Sequence, residues 1–180
     1  MQKDFFDFLE RFTLEPNQYT MRTVVTAILL ALGMIAASAQ ESVPSYSVKD
    51  IDANELNIKD YTKDGTPKII SLWATWCAPC RTELKALKEI YPDWRDKYGV
   101  EIVAINVDSD RMLKRAKALY DSNGWDYTFL HADQKQLMDA LGITSIPYSI
   151  LVDGNGNIRS TQNGYHPGYE KELEAKLRKL

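Results

Sequence analysis

The sequence predicts a small three-layer α/β sandwich on a mixed central sheet, and three observations carry that prediction. Two runs rich in β-branched and apolar residues, PKIISLWA (67–74) and VEIVAINVD (100–108), read as buried strands. Between them, Leu84, Leu87, Ile90, Tyr91 and Trp94 recur at helical spacing, and a second helical segment and short strand follow. Near the C-terminus, YSILVD (148–153) and NIRSTQ (157–162) flank Gly154-Asn155-Gly156, a hairpin signal that adds antiparallel strands. Parallel strands joined by crossover helices wind right-handed and need helices on both faces.

The first forty residues stand apart. From Val24 to Ala37 the chain is apolar except for Thr26, shorter than the ~20 residues of a membrane-spanning helix. Arg22 precedes this run, and the small residues Ala37-Ser38-Ala39 follow it. Residues 21–39 are therefore expected to be a signal peptide cleaved before Gln40. Residues 1–20 set Lys3 and Arg11 against Asp4, Asp7, Glu10 and Glu15, the wrong charge for a leader. Met21 is the expected start, with 1–20 a gene-model extension or disordered leader, and 40–180 the exported domain of a periplasmic protein.

Within 40–180, PSYSVKDI (44–51) and ELNIKDY (55–61) are expected to pair as an N-terminal hairpin across Asp52-Ala53-Asn54. The strand at 67–74 follows. The helix opening at Pro79 should bend or break near Tyr91, at Pro92, with Gly99 ending the segment. After the strand at 100–108, Ser109 should cap a helix reaching Asp121, with Met112, Leu113, Ala116 and Leu119 inward. DYTFLHA gives a short strand, and Asp133 should cap a helix stopped by Gly142. A closing helix from Gly168 should bury Tyr169, Leu173, Leu177 and Leu180.

A net charge of −3 argues against a nucleic-acid or anionic-membrane partner, and the scattered basic residues read as solvated surface. The chemistry is concentrated in Ser71–Cys80, SLWATWCAPC, which holds both cysteines of the chain. Bridging two cysteines three positions apart closes too short a loop to restrain the unfolded chain, so the pair is there for chemistry or for a metal. Its place between a strand and a helix supplies the mechanism. Free amides and the positive dipole end at a helix N-terminus favour thiolate over thiol. Cys77 should be the exposed nucleophile of low pKa, Cys80 the buried resolving thiol, and Pro79 suits a first turn that has no use for its amide.

WCAPC after a strand resembles the thioredoxin superfamily, and WATWCAPCRTEL (73–84) is most similar to its exported TlpA/ResA-like branch. NVD (106–108), ITSIPYSILVDGNGNI (143–158) and Gly164 extend the likeness along residues 44–180. The resemblance implies a thioredoxin-like sandwich with the N-terminal hairpin as an extension. It implies a cis Ile146-Pro147 bond, with Ile146 offering its backbone to an extended substrate and Trp76, Ala78 and Pro79 rimming the site. Trp73 is expected in the core. Glu83 matches the acid of the C-x-x-C-x-x-E pattern and is the expected proton carrier for Cys80. Two departures stand out. Lys85 replaces a helix-kinking proline, which suggests a straighter helix, and Ser71 occupies a position that is acidic in cytosolic thioredoxins.

By this resemblance the protein is a thiol:disulfide oxidoreductase, reducing disulfides of envelope proteins in cytochrome c maturation or general thiol maintenance. Electrons would come from a membrane thiol donor, with no cofactor or metal and with a monomeric state expected. Rival readings are net disulfide formation or isomerisation, a peroxiredoxin-like peroxidase, a zinc site and a non-catalytic binding module. The peroxidase wants Thr-x-x-Cys where Ala74 stands. Zinc would need His131 and His166, expected to be loop or surface residues, to join the cysteines at spacings unlike a compact module. A binding module typically loses a cysteine.

Overall fold

A computed structural model describes residues 41–180. The expected leader (1–20), signal peptide (21–39) and cleavage point before Gln40 lie outside the described residues. Seven strands form one sheet: β1 (Ser47–Lys49), β2 (Glu55–Asn57), β3 (Lys68–Trp73), β4 (Glu101–Asn106), β5 (Thr128–His131), β6 (Tyr148–Val152) and β7 (Ile158–Asn163). The helices are α1 (Ile58–Tyr61), α2 (Ala78–Tyr98), α3 (Leu113–Asn123), α4 (Gln134–Leu141) and α5 (Tyr169–Leu177). The strand order is β2-β1-β5-β4-β3-β6-β7. β3, β4 and β5 run parallel and every other pairing is antiparallel. This is the mixed sheet expected from the sequence.

β3 explains its own place at the centre. Residues of both parities along it, Lys68 to Trp73, are at most 2% exposed, so cover lies on each face. The right-handed steps β3–α2–β4 and β4–α3–β5 go the same way, which puts α2 and α3 on one face. There, Trp73 meets Trp125 edge-on with ring centroids 5.4 Å apart, and Tyr120 of α3 packs on Phe129 at 5.2 Å. At the opposite end of β3, the buried Lys68 ammonium sits 2.8 Å from both Asp64 and Glu101. Burial costs such a charge heavily unless it is paired, and here two carboxylates pair it.

Several expectations need correction. The second strand of the hairpin ends at Asn57 and does not reach Tyr61, because the Asn57 side chain accepts the Lys59 amide and caps α1. Pro92 does not break α2, which runs without interruption from Ala78 to Tyr98. Pro92 lies on the solvent face, as does Lys88, whose carbonyl loses the helical partner and is left where water can serve it. Lys85 is exposed on the same helix. Ser109 makes no capping bond; a 3₁₀ turn at Asp110–Met112 intervenes, with Asp110 reaching His131, and α3 begins at Leu113. On α3, Ala116 and Tyr120 are buried while Leu113 and Leu119 are only half-buried, as is Met112 in the 3₁₀ turn. Leu180 lies beyond the end of α5 and is exposed, whereas Tyr169, Leu173 and Leu177 are buried. Asp133 and Gly142 cap α4 as expected.

The chain enters the described fold beside the β6–β7 turn. Val43 donates its amide to the Gly156 carbonyl at 3.1 Å, and Ile158 donates to Glu41 at 2.7 Å. Across that turn Gly154 packs so tightly on Gly65 that a Cβ there would lie 2.4 Å from the Gly65 carbonyl oxygen.

Candidate active site

β3 delivers the chain into the two-cysteine loop, and β4 fastens the loop in place. Val107 donates its amide to the Trp73 carbonyl at 2.9 Å, so the parallel pairing continues past the last strand residue. Next, Asp108 accepts the Thr75 amide at 2.8 Å and the Thr75 hydroxyl at 3.0 Å. A third donor, the Asn106 side-chain amide, reaches the same carboxylate at 2.8 Å. Three donors on one buried carboxylate fix its position and hold the residue two places before Cys77.

Cys77 is the N-cap of α2, and its Sγ accepts the Cys80 amide at 3.3 Å. A sulfur therefore occupies the place of a capping oxygen and faces the positive end of the helix dipole. The two cysteines form a disulfide with their Cα atoms 5.4 Å apart. Cys77 is 4% exposed, not the open nucleophile expected, because its sulfur is bonded to Cys80 and turned onto the helix end. Cys80 is fully buried, so Cys77 remains the more accessible of the two. Ala78 and Pro79 are exposed in the first turn, Trp76 is 61% exposed beside them, and Trp73 lies in the core.

The Ile146-Pro147 bond is cis. β6 pairs antiparallel with β3 up to Tyr148 opposite Leu72, and one further step sets Pro147 alongside Trp73, where the loop begins. Pro147 is buried and its carbonyl accepts the Gly164 amide at 2.8 Å. Ile146 is half-buried, and its backbone makes no hydrogen bond with another described residue. That leaves peptide groups of the kind an extended segment pairs with.

Glu83 is 1% exposed, on α2, three residues beyond Cys80 and on the same helix face. Its carboxyl lies over the sheet against two serines. Ser149 Oγ donates to Oε1, and Ser71 Oγ lies 3.4 Å from Oε2. Burial pushes the carboxyl up from 4.5 to about 7; the two serine bonds pull against that, and the Glu170 charge adds a little to it. A carboxyl held near neutrality is suited to accepting a proton and giving it back.

Reading the residues alone missed the Asp108–Thr75 fastening and Ser149. Both depend on which residues face each other between strands. His131 is corrected: it is 3% exposed at the end of β5, 3.3 Å from the Asn106 side-chain oxygen and 2.9 Å from Asp110. His166 is on the surface.

Residues 39–161 match the AhpC/TSA family. The thiol-disulfide oxidoreductase ResA of Geobacillus thermodenitrificans (strain NG80-2) is 29% identical, across 82% of this chain and 88% of that protein. The thioredoxin-like protein YneN of Bacillus subtilis (strain 168) is 30% identical, across 76% of this chain and 77% of its own. The solution structure of a thioredoxin-like protein from Porphyromonas gingivalis superposes with a TM-score of 0.69 at 38% identity, covering 77% of this chain and 90% of that one.

Proposed function

The chain belongs to the AhpC/TSA family and is a thioredoxin-like thiol:disulfide oxidoreductase; from that premise we propose that it reduces protein disulfides in the cell envelope through a Cys77–Cys80 dithiol/disulfide switch. The observation that carries this reading is the Cys77 sulfur at the N-terminus of α2, hydrogen-bonded to the Cys80 amide and bridged to Cys80. A helix amide and dipole at a sulfur favour its thiolate, which is the attacking and leaving form in disulfide exchange.

In the forward direction the Cys77 thiolate attacks a substrate disulfide, expelling one substrate thiolate and forming a mixed disulfide. Cys80 passes its proton to the Glu83 carboxylate, and the Cys80 thiolate then attacks the Cys77 sulfur. The second substrate thiolate leaves, two electrons having moved from the dithiol to the substrate. Trp76, Ala78 and Pro79 form the rim on which the substrate rests, and the Ile146-Pro147 backbone pairs with its extended chain. The expected signal peptide at 21–39 supports a periplasmic site of action. A membrane thiol donor would restore the dithiol, and cytochrome c maturation or general thiol maintenance are the processes such a reductant serves.

Insulin reduction tests the assignment. Cys77→Ser is expected to abolish it, and Cys80→Ser to accumulate mixed disulfides; full multiple turnover by Cys80→Ser refutes the roles. The redox state of the protein in cells tests the direction. A largely reduced population fits net reduction, and a largely oxidised one fits disulfide formation.

A further inference from the structure

We propose that Ser71 and Ser149 are positioning residues that cradle the Glu83 carboxyl and set the pH range over which Cys80 can resolve the mixed disulfide. The proposal rests on the reading of Glu83 as the proton carrier for Cys80.

The cradle is built by strand register. Ser71 on β3 and Ser149 on β6 are directly paired across the antiparallel ladder, so their side chains leave the sheet on the same face. That face is the one α2 covers, since both hydroxyls reach Glu83. The adjoining positions of the same parity, Ile69, Trp73 and Leu151, are apolar and buried. Two hydroxyls thus interrupt an otherwise apolar floor. Ser71 is 0% exposed and Ser149 2%, and burying a hydroxyl without a partner is costly. Among the described residues, each serine hydroxyl finds its partner in Glu83, and each takes a different oxygen of the carboxyl.

Hydroxyls suit this task because they both donate and accept. Toward the carboxylate they donate; toward the acid, one of them can accept its proton. The charged and titratable groups facing Glu83 from the other elements offer nothing equivalent. Glu170 on α5 repels the carboxylate, and Tyr169, Tyr165 and Tyr127 are phenols. Tyr127 donates instead to the Leu84 carbonyl and Tyr165 to Glu170. None of these groups is a cation, so the serines are the groups that oppose the cost of burying the charge.

When Cys80 gives its proton to the Glu83 carboxylate, the S–H bond breaks and a carboxylic O–H forms. The freed sulfur lone pair then attacks Cys77, and the proton returns to solvent after product release. A serine that held the carboxylate less well would leave less of it ionised at neutral pH, slowing this step.

Two readouts on the full-length protein test the cradle: the acid limb of the pH–rate profile of insulin reduction, and the carboxyl ¹³C titration of Glu83 in the oxidised form. Ser149→Ala should move both upward by about one pH unit, the weight of one charge-assisted hydrogen bond. Ser71→Ala, with its longer 3.4 Å contact, should move them less. Ser149→Thr keeps the hydroxyl and should restore the wild-type midpoint. The titration needs no turnover, so a poorly active variant still reports. A midpoint unchanged in Ser149→Ala, with an acid limb that Glu83→Gln removes, overturns the cradle alone. An acid limb that survives Glu83→Gln overturns the proton-carrier reading and the cradle with it.

Discussion

Glu83→Gln should change not only turnover but the way folding stability depends on pH. The carboxyl has an ordinary value of 4.5 and is held at about 7 by its burial among the strands. At about 1.4 kcal/mol per pH unit, that gap amounts to about 3 kcal/mol. The folded state holds this proton more tightly than the unfolded chain does. The stabilisation is therefore complete below the unfolded value and disappears as the pH rises through the folded one. Glutamine has no proton to lose. The stability of Glu83→Gln relative to wild type should thus rise by about 3 kcal/mol from about pH 4 to about pH 8. Urea denaturation of the oxidised forms across that range measures the difference, in which all other titrations cancel. Any fixed penalty for seating an amide between two hydroxyls displaces the difference curve without altering its slope. A difference that stays level across the range would refute the reasoning, because it would mean that Glu83 titrates alike in the folded and unfolded chains.

Two further expectations concern the frame around the cysteines. Asp108→Asn places an NH₂ where three donors converge, on Thr75 twice and on Asn106. It should cost roughly 1–3 kcal/mol in urea denaturation and slow insulin reduction by the fully folded protein; unchanged turnover would show that the loop needs no fastening to β4. Gly154→Ala puts a methyl 2.4 Å from the Gly65 carbonyl oxygen, backbone that cannot swing aside. Thermal denaturation should show a clear loss of stability with turnover per folded molecule retained, since this contact lies at the end of the sheet away from the cysteines.

The strands and the helix that carry the chemistry were legible because their signals are local. β3 and β4 announce themselves by β-branched runs, and Cys77 and Cys80 by spacing at a strand–helix junction. The cis Ile146-Pro147 bond came from family resemblance, since an X–Pro pair reads as trans by default. What stayed hidden is relational. Ser71 was visible only as a missing acid, and its meaning appears once the ladder sets it opposite Ser149 beneath Glu83. The Asp108–Thr75 pairing joins residues 33 positions apart and has no local signature. Pro92 misled in another way: the rule against helical proline weakens where the orphaned carbonyl faces water. Tyr120, four residues after Ala116 and seven after Leu113, sits on the face that the helical spacing turns inward, and Trp125 and Phe129 close on it there.

Val43 is bonded to the turn between β6 and β7 and Glu41 to Ile158 at the start of β7, and β6 runs from the cysteine end at Tyr148 to that turn. β3, with six residues, spans about 20 Å between the two ends. Within residues 41–180, the amino-terminal entry and the cysteines therefore lie at opposite ends of the sheet. A domain beginning at Gln40 and coupled through its first residues to a bead or an electrode would present its sulfurs on the far side, clear of the support.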